Sequence, residues 1–362
     1  MYDSIPSPSV VIDLDQIDSN IRSIVQANAR YGIRVRPHIK THKSVWLAKR
    51  QIELGCRGIT CAKLGEAEVM ADHGLDDILI AFPLIGFEKM KRLKQLMQRV
   101  SVITLVNSLT GAQYLSDVGM ELNHPVKVLL DLDGGIRRGG LEPLEPALRF
   151  AESTRHLAGI EIIGIMYYAG NIYSERERDG FERMTRREHD NMLGTARLLE
   201  SAGFRMDILS GGNSFSGKLP HLLKGLTEVR SGNFIFNDCN QLSTGMATVE
   251  ECALRVVATV VSRMDDRHVI IDAGSKTLTS DLCEHRPGFG FVVEHPDILI
   301  EKLNEEHGFL SSHQPINLEI GDRVSIIPNH SCGLPNLTDT MYGMRDGRLE
   351  RMITVDARGK NQ

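Results

Sequence analysis

Two hydrophobic patterns alternate along the first two-thirds of the chain. One repeats at helical spacing, as at Ile17, Ile21, Ile24 and Val25, and predicts a helix over residues 15–31. Similar stripes predict helices over residues 46–54, 64–71, 88–98, 109–119, 142–153 and 183–202. The other pattern is a short apolar run bounded by Gly, Asp or Asn. It predicts strands over residues 32–35, 58–62, 77–82, 100–106, 126–133, 160–168, 208–210 and 229–236. Strands alternating with helices imply a parallel sheet. Eight βα units over about 200 residues fit an α/β fold closed as a (β/α)8 TIM-like barrel, with an open doubly wound sheet as the alternative. In either, chemistry belongs at the C-terminal ends of the strands. Lys40, Asp133, Tyr168, Ser210 and Asn233 all lie at or near such ends.

The pattern changes after residue 238. Short alternating runs at residues 254–262, 269–273, 289–294, 323–328 and 351–355, punctuated by Gly and Asp, predict a C-terminal β domain. Residues 2–13 are strand-like and are expected to pair with it. The expected division is therefore a barrel over residues 13–238 and a β domain over residues 239–362 joined by residues 1–12.

Composition excludes several classes. With 362 residues, 41% hydrophobic and 25% charged, the chain is ordinary for a globular protein. Its net charge of −5 gives no footprint for nucleic acid or a membrane surface. The start has no basic region followed by an apolar run, so no signal peptide is expected. The longest apolar stretch, residues 78–87, is too short to span a bilayer. The cysteines at positions 56, 61, 239, 252, 283 and 332 show no disulfide spacing, which fits a reducing, cytoplasmic setting.

The densest chemistry is Arg36-Pro37-His38-Ile39-Lys40-Thr41-His42-Lys43. On a continued strand, Arg36, His38, Lys40 and His42 would share one face. A lysine crowded by cations is pushed towards its neutral, nucleophilic form; a solvated basic edge strand is the plainer reading. Ser210-Gly211-Gly212-Asn213 and Gly232-Asn233 follow the seventh and eighth strands, where barrels commonly bind phosphate through backbone N–H groups. A lysine on strand one and phosphate loops after strands seven and eight suggest pyridoxal phosphate. Asp131-Leu132-Asp133-Gly134-Gly135 reads alone as a strand-ending turn. His330-Ser331-Cys332 places imidazole and thiol two residues apart, a pair suited to zinc with open positions left for water or substrate.

Taken together, these residues resemble the D-threonine aldolase and D-serine dehydratase family, pyridoxal-phosphate enzymes related to alanine racemase. The resemblance covers nearly the whole chain, from Ser9-Val10-Val11-Ile12-Asp13 through the segment around Lys40, Asp131 to Gly140, Gly170-Asn171-Ile172-Tyr173 and Glu305-Glu306-His307-Gly308 to Pro328-Asn329-His330-Ser331-Cys332. It implies an alanine racemase-like barrel plus β domain, working as a homodimer on a D-amino acid. Lys40 would be the Schiff-base lysine, with His38 and Arg138 as further candidate catalytic residues. Tyr168, Tyr173, Ser210, Gly211, Gly212, Asn213, Gly232 and Asn233 would contact the cofactor. His330 and Cys332 would hold a divalent metal, zinc before Mn²⁺ or Mg²⁺, because His-x-Cys resembles the zinc dehydratases and His-x-Asp the aldolases. Phe234, where the family more often has tyrosine, and Met166, in place of tyrosine or glutamine, depart from the pattern. The expected reaction is dehydration of a 3-hydroxy-D-amino acid such as D-serine or 3-hydroxyaspartate. Retro-aldol cleavage to glycine and an aldehyde is the alternative, and a metal-free racemase is the alternative of another class.

Overall fold

Eight short parallel strands run in chain order: β1 Arg34–Val35, β2 Ile59–Cys61, β3 Asp77–Pro83, β4 Ser101–Val106, β5 Val126–Leu132, β6 Ile160–Tyr167, β7 Ile208–Gly211 and β8 Glu228–Val229. The computed structural model describes residues 4–362, so the expectation for Tyr2 and Asp3 lies outside the described residues. The sheet order is β1-β8-β7-β6-β5-β4-β3-β2. Its two ends meet. His38 forms a parallel bridge with Thr60, and the N–H groups of Arg57 and Thr60 donate to the carbonyls of Val35 and Pro37 at 2.9 and 2.8 Å. The sheet thereby closes as the predicted barrel.

Alternation along each strand separates inside from outside. Tyr167 accepts a hydrogen bond from Asn191 on the helix Arg178–Ser201, so its side chain faces the helices and the preceding Met166 faces inward. Met166 packs with Leu79, Ile103, Leu105, Leu129 and Ile163 in one buried cluster. Each such side chain contributes about 1.5–3 kcal/mol on leaving water. Two residues beyond Leu129 and Ile208 on the same strands stand Asp131 and Ser210, so a polar layer caps the apolar one towards the C-terminal ends.

The chain divides into two compact units. The barrel unit comprises Arg22–Lys40, Leu47–Gly232 and Gly359–Gln362. The second comprises the N-terminal segment through Ile21, Thr41–Trp46 and Asn233–Arg358. In it, the strand Ser9–Asp13 pairs antiparallel with Leu254–Arg263, Val10 opposite Val256, and parallel with Thr340–Arg345, Val11 opposite Tyr342. The N-terminal strand does join the β domain. Strands Leu299–Leu303 and Thr340–Arg345 were hidden from alternation by irregular register between Ile300 and Lys302 and between Gly343 and Met344. Among the described residues no helix is long and apolar enough to cross a membrane.

Two local expectations are corrected. Strand one does not continue to residue 42. It ends at Val35, and Ile39–Thr41 form a 3₁₀ turn, so Arg36, His38, Lys40 and His42 do not share a strand face. Proline at 37 lacks the N–H that a continued ladder needs. Strand eight stops at Val229, and Asn233–Ile235 turn as a 3₁₀ segment. There the Asn233 side chain bonds Asp238 and Gln241, competing with further strand pairing.

Candidate active site

The 3₁₀ turn after β1 carries Lys40, half-buried, with its N–H 3.4 Å from Nδ1 of His38. Arg36 does not crowd it with a free charge. Its guanidinium is buried and ion-paired, Nε to Glu228 at 2.9 Å and one terminal nitrogen to Asp77 at 2.7 Å. The expected cluster of cations is thus replaced by a paired arginine that braces the barrel.

β5 leads into a tight loop. Asp133 Oδ1 accepts the N–H groups of Gly135 and Arg137 at 3.0 and 3.2 Å, so Asp133 shapes the turn. A side chain on Gly134 would fall 1.7 Å from the Tyr168 carbonyl oxygen, which explains the glycine. The loop delivers Arg138 over the Tyr168 ring, 4.5 Å from its centroid. Asp131 points inward and accepts from Asn107 at 3.0 Å; burial pushes its carboxyl up. Tyr173 lies on the 3₁₀ segment Gly170–Ser174, its ring edge-on to Phe215 at 4.9 Å.

Around β7 and β8 the polar layer is densely bonded. Ser210 Oγ donates to Glu228 at 2.6 Å and accepts from Arg230 at 2.9 Å, and Arg230 also donates to the Tyr167 carbonyl at 2.8 Å. Burial pulls the Arg230 guanidinium down, opposed by Glu228 and Glu188. Gly212, at φ +72°, donates its N–H to the fully buried Glu188 at 2.6 Å. The Asn213 N–H goes to Ser216 Oγ at 3.1 Å, while its side-chain oxygen accepts from Phe215 and Ser216. The expectation that Gly212 and Asn213 offer free N–H donors to a phosphate is therefore corrected: both are engaged within the chain. Gly211 ends β7 and Gly232 lies buried beyond β8.

The other unit carries Asn233, His330 and Cys332. His330 Nδ1 lies 3.1 Å from Asp238 Oδ2. The same oxygen accepts from Asn233 Nδ2 at 2.5 Å and from the Ser331 N–H at 2.9 Å. Ser331 Oγ donates to Asn233 Oδ1. Cys332 Sγ is 3.3 Å from Thr41 Oγ1. The Cys332 sulfur, against the opposing effect of burial and with help from Asp238, holds the His330 imidazole well above its usual range. Glu305 and Glu306 sit on an exposed turn, both paired with Lys276.

The barrel's C-terminal rim thus offers a half-buried amine and an aromatic ring with a cation on its face, a donor set that fits pyridoxal phosphate. Among the described residues no three or more His, Cys, Asp or Glu side chains converge as a metal site. His330 and Cys332 stand two residues apart, and an imidazole with a thiol is a donor pair of the kind that fits zinc. The sequence reading missed Arg230, Glu188 and Asp238. Arg230 was legible from alternation with Glu228. Glu188 stands among the buried positions Phe181, Thr185, Met192 and Leu199 of its helix, where a carboxylate is anomalous. Asp238 opens a capping box with Gln241.

Comparison with known proteins agrees with this layout. The family model described as the alanine racemase N-terminal domain matches residues 12–239, and that of a putative serine dehydratase domain matches residues 253–344. The chain belongs to the alanine racemase N-terminal domain family. It is 29% identical over 360 residues to a D-threonine aldolase of Arthrobacter sp., covering 98% of this chain and 93% of that one. It is equally 29% identical, over 91% of each chain, to the D-threo-3-hydroxyaspartate dehydratase of Delftia sp.. The crystal structure of D-threonine aldolase from Filomicrobium marinum superposes with a TM-score of 0.90 at 27% identity, covering 99% of this family member and 96% of that chain. The family's alanine racemase-like architecture is the one seen here, a ring of parallel strands with a C-terminal mixed sheet.

Proposed function

We propose that this chain is a pyridoxal-phosphate- and metal-dependent lyase acting on 3-hydroxy-D-amino acids, with dehydration to an oxo-acid and ammonia as its main reaction. Similarity to both a dehydratase and an aldolase supports the substrate class. The observation that carries the reading is His330, tied through Nδ1 to a buried carboxylate, with Cys332 two residues on. A metal-free racemase would have no use for that pair. Its imidazole–sulfur chemistry favours zinc and, with it, the dehydratase reading over the aldolase reading.

Pyridoxal phosphate, when bound, supplies an electron sink for charge developing at the substrate's Cα. A zinc ion supplies Lewis acidity towards the 3-hydroxyl. Lys40 holds the cofactor and moves the α-proton, and Tyr168, fixed by Arg138, and Tyr173, fixed against Phe215, orient the cofactor ring. The loops carrying Ser210, Gly211, Gly212, Asn213 and Gly232 shape the phosphate end, Ser210 and Glu188 from within. Asn233 contributes to the network that holds His330 within the second unit. We further propose a homodimer and a cytoplasmic setting, which the six cysteines without a disulfide support.

Product analysis on D-serine, D-threonine and 3-hydroxyaspartate tests the proposal. Oxo-acid with ammonia is expected, lost on chelation and restored by zinc. Glycine with an aldehyde would establish the aldolase reading instead. Full turnover in protein shown metal-free by elemental analysis would remove the metal from the reaction.

A further inference from the structure

Asp238 is buried with no exposed surface and makes more hydrogen bonds than a helix cap requires. Its Oδ1 accepts the N–H of Asn240 at 3.0 Å, which alone would cap the short helix Cys239–Ser243. Its Oδ2 reaches the segment of the proposed metal pair, taking the Ser331 N–H at 2.9 Å and facing His330 Nδ1 at 3.1 Å. Asn233 fixes the carboxylate from the other side, and its own oxygen is held by Ser331 Oγ. Asn233 in turn is placed by Gln241 Oε1 at 3.2 Å.

Two physical consequences follow. A carboxylate at Nδ1 accepts a proton there, so the neutral ring presents an unprotonated Nε2. A metal-ligating histidine is ordinarily oriented by such a partner, which also raises its basicity. The second consequence concerns charge. A Zn²⁺ ion on one thiolate and one neutral imidazole leaves one positive charge in a partly desolvated site. The Asp238 carboxylate supplies the missing negative charge without occupying a coordination position, so the position stays open for substrate.

We infer that Asp238 is the positioning residue of the metal pair, fixing His330 as an Nε2 ligand and neutralising the bound ion, and that Asn233 serves this network with its side chain rather than the cofactor. The inference rests on the reading of His330 and Cys332 as metal ligands. Asp238→Asn keeps the shape of the side chain and loses its charge.

The test is zinc affinity, measured by chelator competition on the full chain loaded with pyridoxal phosphate. Asp238→Asn is expected to weaken zinc binding about 10- to 100-fold. In a His330→Ala background the same substitution should cost less, because only the charge contribution remains and no ring is left to orient. An equal loss in both backgrounds, or no loss in either, would overturn the inference. Parent protein that binds no zinc at all would instead overturn the metal reading itself. Should Asp238→Asn fail to fold, ring-nitrogen NMR of labelled histidine in the zinc-loaded parent decides. Zinc on Nε2 with Nδ1 protonated is expected, and zinc on Nδ1 would overturn the inference.

Discussion

At the scale of single residues, the six cysteines differ sharply. Five are buried, and burial pushes Cys56 up to about 12 and lifts Cys61 and Cys239 well above the usual thiol range. Such thiols are inert, because the thiolate is the reacting species. Among the six, Cys332 alone is half-buried and within reach of a reagent. Native protein treated with an alkylating reagent should therefore take one label, mapped by peptide analysis to Cys332, and prior zinc loading should protect it. A label on Cys283 or Cys239, or no protection by zinc, would contradict both the burial argument and the ligand assignment. Arg36 marks where reading the residues alone misled. Its type was right for a site, but its partners, Asp77 and Glu228, lie 41 and 192 positions away in sequence. No local pattern reveals such a pairing.

At the scale of elements, a hydrogen bond from the Gly212 N–H to Glu188 ties the glycine turn after β7 to the helix Arg178–Ser201. Burial raises the Glu188 carboxyl, and the Gly212 hydrogen bond offsets this only in part. The sign follows from linkage. Below about pH 4.3, the unfolded glutamate value, both states hold the proton and the group is neutral to folding. As pH rises above it, the unfolded chain releases the proton while the folded chain retains it. Stability then falls by at most about 1.4 kcal/mol per pH unit until the folded group ionises. Glu188→Gln keeps an acceptor for Gly212 and has no proton to lose. Thermal unfolding of variant and parent between pH 4 and pH 7 should show their difference growing in the variant's favour. A difference independent of pH would mean the carboxyl is ionised throughout. The same junction shows what alternation and periodicity can convey. They placed the helix and β7 within a few residues, because apolar stripes are local. They could not show that the turn's donors point back to the helix, because that depends on tertiary packing.

At the scale of the whole molecule, the barrel was legible because its signal repeats: eight apolar runs separated by helical stripes leave few other architectures. The nine-stranded sheet of the second unit was legible only in outline, since bulges break the two-residue period. Which lysine the barrel presents is the question that joins fold to function, and three stand near candidate motifs. Lys43 is buried, with its ammonium donating to Asn336 Oδ1 at 2.9 Å. Lys276 is exposed, and the hydrogen bonds it donates to Glu306 and Glu305 raise its ammonium, the reverse of what a nucleophile needs. Lys40 alone sits half-buried on the turn that follows a barrel strand, the end where barrel chemistry resides. Purified protein supplied with pyridoxal phosphate should therefore show a visible absorption band that Lys40→Ala removes. Borohydride reduction, which fixes the cofactor to its lysine, should place the label on the peptide containing Lys40. Lys40→Ala should also lose the rise in melting temperature that the cofactor gives the parent, about 2.7 kcal/mol of stabilisation at a hundredfold excess over Kd. A label on Lys43 would take the cofactor amine off the turn that follows β1 and would overturn the assignment of Lys40, and with it the role proposed for Asp131, Ser210 and Arg230 around that amine.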